Sequence, residues 1–199
     1  MSQSLVAAFV VFGAVMAFTP GPNNIMVLSS GLTYGFRRSL PHISGIAIGV
    51  SLMVASVGLG LGVVFLAYPV LQTILKYVGI AYLVYLAAMI AMSGSVTGEG
   101  KLGGPMTFWA AVLFQWVNVK GWVMAIGIIT AYSAVASFPW NIAVQAALMF
   151  VMAALSSLTW ALFGSSLRSF LTSPVAVRAF NILMAALLLA SLYPVLMDA

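Results

Sequence analysis

The sequence contains no cysteine, a single histidine and only two acidic residues among its 199 residues. Without cysteine there is no disulfide, no thiol chemistry and no Cys-ligated metal. One histidine and two acids nearly exclude a shell of three or four side-chain metal ligands, so no cofactor is expected. A catalytic pair would have to be built around His42, Glu99 or Asp198, which makes an enzyme a disfavoured class.

Charge of either sign is also scarce. Charged residues make up 5% of the chain and hydrophobic residues 64%, whereas a soluble domain averages about 25% charged and roughly 45–50% apolar residues. Seven scattered basic and two acidic residues cannot cover a protein of this length in water. The composition therefore excludes a soluble enzyme, a disordered tail and a nucleic-acid-binding protein. It predicts an integral membrane protein that contacts the lipid bilayer.

Long apolar runs predict six transmembrane helices and an all-α fold. A helix needs about 20 mainly apolar residues to cross a bilayer. The runs are continuously apolar, whereas the strands of a membrane barrel alternate. The six runs cover residues 5–32, 43–67, 71–92, 108–132, 142–164 and 180–196.

Basic residues lie in alternate connections between these spans. Arg37 and Arg38 follow the first span, Lys101 the third, and Arg168 and Arg178 the fifth, while the other connections carry no charge. The positive-inside rule predicts that the odd-numbered loops face the cytoplasm and that both termini lie outside. The alternative is a re-entrant first span, which leaves five crossings and places the termini on opposite sides.

A Gly/Ser-rich segment at 93–106 divides the chain into two nearly equal parts, 1–92 and 107–199. Each part holds three predicted spans, so the second part enters the membrane from the opposite side. We therefore expect a cytoplasmic linker between two three-helix repeats of inverted topology. This 3+3 arrangement is typical of secondary transporters.

The first span contains a run of residues that break a helix. Two prolines each remove a backbone donor and clash with the preceding turn, and a threonine before the first proline is a suitable N-cap. We expect a break near Phe18 and a half-helix that begins at Thr19. The freed backbone groups and the asparagine amides would face a cavity and bind substrate; the alternative is a kink with structural asparagines. The run consists of Thr19, Pro20, Gly21, Pro22, Asn23 and Asn24.

The fourth span carries a lysine near its midpoint. A central lysine costs about 2.5–3.5 kcal/mol on insertion scales and is a functional candidate by default; the alternative is a lysine that snorkels to an interface. Asn118 and Lys120 would point about 200° apart on a regular helix, so they share a cavity only if the backbone unwinds, for which Gly121 is suited. Together with Gln115, these two residues interrupt the fourth span, just as the prolines interrupt the first. Two interruptions at corresponding places in the two halves predict a binding site between the two spans.

Other positions have weaker functional signals. Gly45 and Gly49 form a GxxxG stripe that indicates close helix contacts, within the bundle or at a homodimer seam. Tyr82, Tyr85 and Trp160 lie deep enough in their spans to line a cavity, although aromatic residues there also serve as ordinary packing.

Proton coupling would need an unusual carrier in this sequence. No predicted span contains a carboxylate, so a proton would have to travel on Lys120, on His42 or on water. His42 precedes the second predicted span and is expected at the cytoplasmic interface, with a proton shuttle as the alternative.

Several of these segments resemble the LysE/RhtB family of bacterial amino-acid exporters, and the resemblance covers nearly the whole chain. The family typically has Asn-Pro-Lys in the fourth span, whereas this chain has a valine in the middle, a form similar to the cysteine and O-acetylserine exporter branch. The resemblance implies efflux of a small neutral amino acid or derivative across the bacterial inner membrane, driven by an ion gradient. The similar segments are Thr19-Pro20-Gly21-Pro22-Asn23, Gly35-Phe36-Arg37, Gly45 with Gly49, Lys76-x-x-Gly79-x-x-Tyr82-Leu83 and Asn118-Val119-Lys120.

These features lead to one hypothesis and two rivals. The hypothesis is an alternating-access exporter in which Lys120 and the half-helix amides bind the substrate carboxylate, while carbonyls freed by the prolines bind its ammonium group. Asn23 and Asn118 would fix the orientation of the substrate. The rivals are a passive small-solute pore or assembly subunit and, less favoured, a membrane-embedded enzyme.

Overall fold

The computed structural model describes residues 3–92, 104–171, 173–193 and 196. Within these residues the chain is helical and contains no strand, as predicted. Residues 93–103 of the predicted linker lie outside the described residues, as does Asp198. The helices are α1 (Gln3–Phe18), α2 (Pro22–Tyr34), α3 (Phe36–Ser56), α4 (Gly62–Ala67), α5 (Pro69–Ala91), α6 (Phe108–Phe114), α7 (Val119–Ala131), α8 (Trp140–Phe170) and α9 (Pro174–Ala190).

The first predicted span is broken into α1 and α2, which are bent by 56°. α1 ends at Phe18, as predicted, but α2 begins at Pro22 and not at Thr19. Because Pro20 and Pro22 have no amide hydrogen, the helix cannot continue through this segment, and Gly21 in an extended conformation becomes the N-cap. Thr19 donates its hydroxyl to the last turn of α1 instead, so its predicted role as N-cap of α2 is wrong.

The fourth predicted span is broken as well. α6 continues as a 3₁₀ turn at Gln115–Val117, and the axis then bends by 71° into α7. Asn118 lies between the two with φ −86° and ψ 97°, and its carbonyl accepts from the Trp122 amide at 3.2 Å, which makes it the N-cap of α7. The predicted unwinding is confirmed, and it occurs at Asn118.

Three segments are long and apolar enough to cross a membrane without such a break: Phe36–Val64, Val70–Ala91 and Trp140–Phe170. The two bent pairs raise the number of candidate spans among the described residues to five. α9 is apolar but has only 17 residues. The chain is therefore a multi-pass helical membrane protein, while the six crossings and the inverted repeat stay predictions.

His42 lies inside the bundle. The second span begins at Phe36, because Gly35 with φ 83° allows α3 to follow α2 almost directly. This early start places His42 in the second turn of α3, where 1% of its surface is exposed. The predicted start of the second span at Ile43 is therefore wrong: His42 lies within α3, and its side chain is buried in the bundle.

The two glycines of the GxxxG stripe face α6 of the same chain. A Cβ atom at Gly45 would collide with the Phe108 carbonyl oxygen, and one at Gly49 would lie 2.7 Å from Cγ of Gln115. Of the two roles predicted for this stripe, contacts within the bundle are therefore the one that the structure shows. The contact also holds Gln115 at the second helix break.

Polar side chains lie inside the bundle and apolar ones cover its outside. Large hydrophobic residues such as Leu59, Val63 and Leu113 are more than 60% exposed, as expected where lipid is the solvent. The interior contains two buried apolar clusters, one around α3 and α8 and the other around α5 and α9. The buried polar side chains are Asn24, Ser29, Ser30, Ser39, His42, Gln115, Asn118, Gln145, Ser156, Ser157 and Asn181.

Candidate functional site

The two helix breaks meet in the middle of the bundle. Lys120, in the first turn of α7, donates from Nζ to the Thr19 carbonyl oxygen at 2.6 Å. Gly21 leaves room for this contact, because a Cβ atom there would lie 2.9 Å from Cδ and 3.0 Å from Nζ of Lys120. The half-buried lysine is therefore directed at the break in the first span and does not snorkel to an interface.

A second link joins the breaks through two amide side chains. Asn23 donates from Nδ2 to Oε1 of Gln115 at 2.9 Å, and Gln115 donates from Nε2 to Oδ1 of Asn23 at 3.1 Å. Gln115 also donates to the Ala111 carbonyl at 2.9 Å. Because both amides are satisfied by each other, this pair fixes how α2 sits against the 3₁₀ turn that precedes Asn118.

Asn24 holds the carbonyl groups that the first break leaves without helix partners. Its Nδ2 donates to the carbonyl oxygens of Ala17 and Thr19 at 2.9 and 3.0 Å. Ser156 of α8 donates to the same Ala17 oxygen at 2.8 Å and lies 3.4 Å from Oδ1 of Asn24. Thus two carbonyls near the end of α1, those of Ala17 and Thr19, are bound by protein donors in this conformation.

A small cavity of about 40 Å³ lies between the breaks. Six of the nine predicted site residues line it: Gly21, Pro22, Asn23, Asn24, Asn118 and Lys120. At roughly 10–15 Å³ for each water, space of this size holds about three waters. Three water oxygens are fewer non-hydrogen atoms than even the smallest amino acid contains. The space between the breaks is therefore too small for an amino acid in this conformation.

The other three predicted residues have different positions. Gln115 is fully buried behind Asn23 and is absent from the cavity lining. Thr19 is exposed and contributes only its carbonyl oxygen, through the contacts with Lys120 and Asn24. Pro20 is exposed and does not line the cavity, so its role is confined to breaking the helix.

The sequence analysis missed the contribution of α8. Ser156 and Ser157 are buried and line the cavity opposite the breaks. Two adjacent serines in the middle of an apolar span were the available signal, but serine bonds easily to its own helix and is common in such spans. Trp160, one turn further along α8, packs against the apolar clusters and does not line this cavity.

The charge and polarity of the lining suit an anion, with neutral polar groups beside it. Lys120 is the one charged residue in its described lining. The first turns of α2 and α7 both contribute to the lining, and helix N-termini favour negative charge. Asn118 adds an Oδ1 atom that is buried and has no hydrogen-bond partner among the described residues.

The Asn23–Gln115 pair gives a direct test of this geometry. We expect Asn23→Ala and Gln115→Ala each to lower the free energy of unfolding by about 1–3 kcal/mol, because each leaves a buried or half-buried amide without its partner. The double variant should cost less than the sum of the two single variants. Thermal unfolding of the four proteins in detergent measures this coupling. Strictly additive losses would show that the pair does not form.

The sequence comparisons identify the family of the chain. The family model of the LysE type translocator matches residues 14–192, a range that includes both helix breaks and the residues between them. The chain belongs to the LysE family. It is therefore a multi-pass membrane translocator by family as well as by its apolar helices.

Several curated relatives of this LysE-family chain share one name. The cysteine/O-acetylserine efflux protein of Klebsiella pneumoniae is 38% identical over 170 residues, which cover 82% of this chain and 84% of the relative. The proteins of the same name from Escherichia coli K12 and Shigella sonnei are 38% identical over 123 residues. That match spans 60% of this chain and 61% of the length of those relatives. No solved structure matches the chain.

Proposed function

We propose that this protein is a secondary active exporter of small neutral amino acids or their derivatives across the bacterial inner membrane. The observation that carries the proposal is the position of Lys120, a lysine in the middle of a span that contacts a carbonyl at the break of another span. An intramembrane cation is costly and marks a binding or transport site by default. Broken helices that face each other at such a site are typical of secondary transporters.

Lys120 and the two helix N-termini would bind the carboxylate of the substrate. Lys120 now donates to the Thr19 carbonyl, and a carboxylate is a stronger acceptor for an ammonium group than a backbone carbonyl. A substrate that draws the lysine away from Thr19 would leave one lone pair of that oxygen for its own ammonium group, while Asn24 keeps its contact with the same oxygen. Asn118, with its unused Oδ1, would complete the binding of the zwitterion. Substrate binding and rearrangement of the break would thus be one event.

The small size of the cavity supports an alternating-access cycle. A volume of about 40 Å³ does not admit an amino acid, so the bent pairs must move apart before substrate enters. The breaks at 56° and 71° are the natural hinges. In the proposed 3+3 inverted repeat, α3 and α8 are equivalent, and the two helices pack against each other. The odd-numbered loops, including the linker, would face the cytoplasm.

The lining also favours particular substrates. The side chains of basic amino acids need an acidic partner, and no acidic residue lines the described cavity. Neutral amino acids such as serine and cysteine, and esters such as O-acetylserine, need only the groups already present. The names of the relatives point to the same class.

Transport from preloaded proteoliposomes tests this function. Labelled serine, cysteine and O-acetylserine are followed with and without an imposed proton gradient. We expect saturable flux of at least one of them that accelerates with the gradient, with lysine as the non-transported control. Flux that rises linearly with concentration and ignores the gradient would indicate a passive pore. An absence of flux for all neutral amino acids would refute the proposed substrate class.

A further inference from the structure

A second and larger cavity lies next to the site, toward the end of the bundle where the linker joins α6. Its volume is about 330 Å³, within the roughly 300–1,000 Å³ of small-molecule sites. It lies between α2, α3 and α5, and residues 104–107 close one side. Tyr82 and Tyr85 line it, which confirms that these two aromatic residues face a cavity.

His42 and Thr33 in the wall of this cavity have unused hydrogen-bonding atoms. Neither ring nitrogen of His42, nor Oγ1 of Thr33, has a hydrogen-bond partner among the described residues. His42 is 99% buried, with 1% of its surface exposed. Buried polar groups are nearly always paired, because an unpaired one loses its hydration without compensation. These atoms are closed off from the cavity space in this conformation, so we expect a small shift of the lining side chains to let an occupant of the cavity pair with them.

The larger cavity lies next to the small one along α2 and α3. His42 lines the larger cavity, while Ile46 and Val50, one and two turns further along the same face of α3, line the small one. α2 also passes both cavities, but in the opposite order along the chain: Asn24 lines the small cavity and Met26 lines the larger one. Only about one helical turn separates the two spaces along α3, about 6 Å.

The larger cavity has no charged residue in its described lining. Its polar groups are hydroxyls and the imidazole, among them Ser29, Thr33, Tyr34 and His42. A neutral imidazole offers one donor and one acceptor, and a hydroxyl offers both. Such a lining matches a molecule without net charge that has several donors and acceptors, and it disfavours an ion that would stay without a counter-charge.

We infer that this cavity is an entry subsite that holds a zwitterionic, polar amino acid on the linker side before it reaches Lys120. The inference rests on the proposed function, since the occupant is the transported substrate. His42 and Thr33 bind the waiting molecule through the atoms that are otherwise unused. Movement of about one helical turn along α2 and α3 then delivers the molecule to the breaks.

Transport kinetics measured from each face test the subsite. Because the chain has no cysteine, Ser95→Cys in the linker provides a unique thiol whose labelling identifies vesicles with the linker face outward. With labelled O-acetylserine, we expect His42→Phe to raise KM on the linker face about tenfold and Thr33→Val about threefold, as for loss of a hydrogen bond. The maximum rate and the KM on the opposite face should stay near the wild-type values. His42→Asn, which keeps a donor and an acceptor, should restore most of the affinity.

Ser44→Ala is the matched control, because Ser44 lies on the exposed side of α3 and bonds only to its own helix. Its kinetics should equal those of the wild type. Wild-type KM in both His42→Phe and Thr33→Val would overturn the entry subsite while leaving the exporter intact. A loss of rate in His42→Phe alone, with Thr33→Val unchanged, would make His42 structural and would also overturn it. A wild-type protein that transports no O-acetylserine, serine or cysteine would overturn both proposals.

Discussion

Lys120→Ala is expected to lower the transport efficiency kcat/KM by about 100-fold, equivalent to about 2.7 kcal/mol. The variant loses the one charge in the described lining of the site and hence its main contact for a carboxylate. The folded state should persist, because Asn24 still binds the Thr19 carbonyl oxygen and because a costly cation leaves the span. Initial rates of labelled O-acetylserine efflux from proteoliposomes, at equal amounts of inserted protein, measure the effect.

Two variants separate the charge at this position from its surroundings. Lys120→Arg keeps a cation but adds a planar, bulkier head, so it should retain more transport than Lys120→Ala. Lys76→Ala removes a lysine from α5 that does not line the small cavity, and we expect wild-type rates. Normal export by Lys120→Ala, with normal insertion, would remove this lysine from the site.

Gly31→Ala is expected to lower the free energy of unfolding by about 1–3 kcal/mol or more, in spite of the small change in size. A Cβ atom at Gly31 would overlap the Ala161 carbonyl oxygen of α8, and Gly164 of α8 faces the Leu28 carbonyl of α2 in the same way. Backbone atoms cannot move aside as the end of a flexible side chain can. α2 must therefore shift, and Asn23 and Asn24 shift with it. Thermal unfolding in detergent and efflux rates should both decline.

Gly127→Ala makes the same substitution where there is space. Its Cβ atom would meet only Cζ of Phe12, at 3.8 Å, which is ordinary contact. Because alanine favours a helix by about 0.8–1 kcal/mol over glycine, this variant should be as stable as the wild type or more so. Equal stability of Gly31→Ala and Gly127→Ala would contradict the close contact of α2 with α8.

The sequence by itself predicted the features that depend on composition and on local backbone chemistry. The apolar content required membrane helices. Pro20 and Pro22 required a break after Phe18, since neither supplies an amide hydrogen. Lys120 in the middle of an apolar run pointed to a site, because a cation at that depth is costly unless the protein supplies partners for it. Such properties belong to a residue and its nearest positions along the chain.

The sequence failed where the outcome depended on a choice between local alternatives. Thr19 was predicted as the N-cap, but Gly21 precedes Pro22, which disfavours helical backbone angles at Gly21, so α2 begins one proline later. In the fourth span the helix unwinds at Asn118, although no proline is present. Three residues earlier, the side-chain amide of Gln115 donates to Asn23 across the bundle. His42 was placed outside because hydropathy alone cannot show that α3 begins seven positions before residue 43, at Phe36.

Only the tertiary structure decided which distant residues complete the site. The Asn23–Gln115 pair joins positions 92 residues apart, Lys120 reaches Thr19 over 101 residues, and Ser156 reaches Ala17 over 139. No local pattern encodes these partners, because each depends on how α2, α7 and α8 pack. The cavity beside His42 has the same origin. The sequence alone determined that the chain spans a membrane, where it breaks and which cation it carries, whereas packing determined what surrounds that cation.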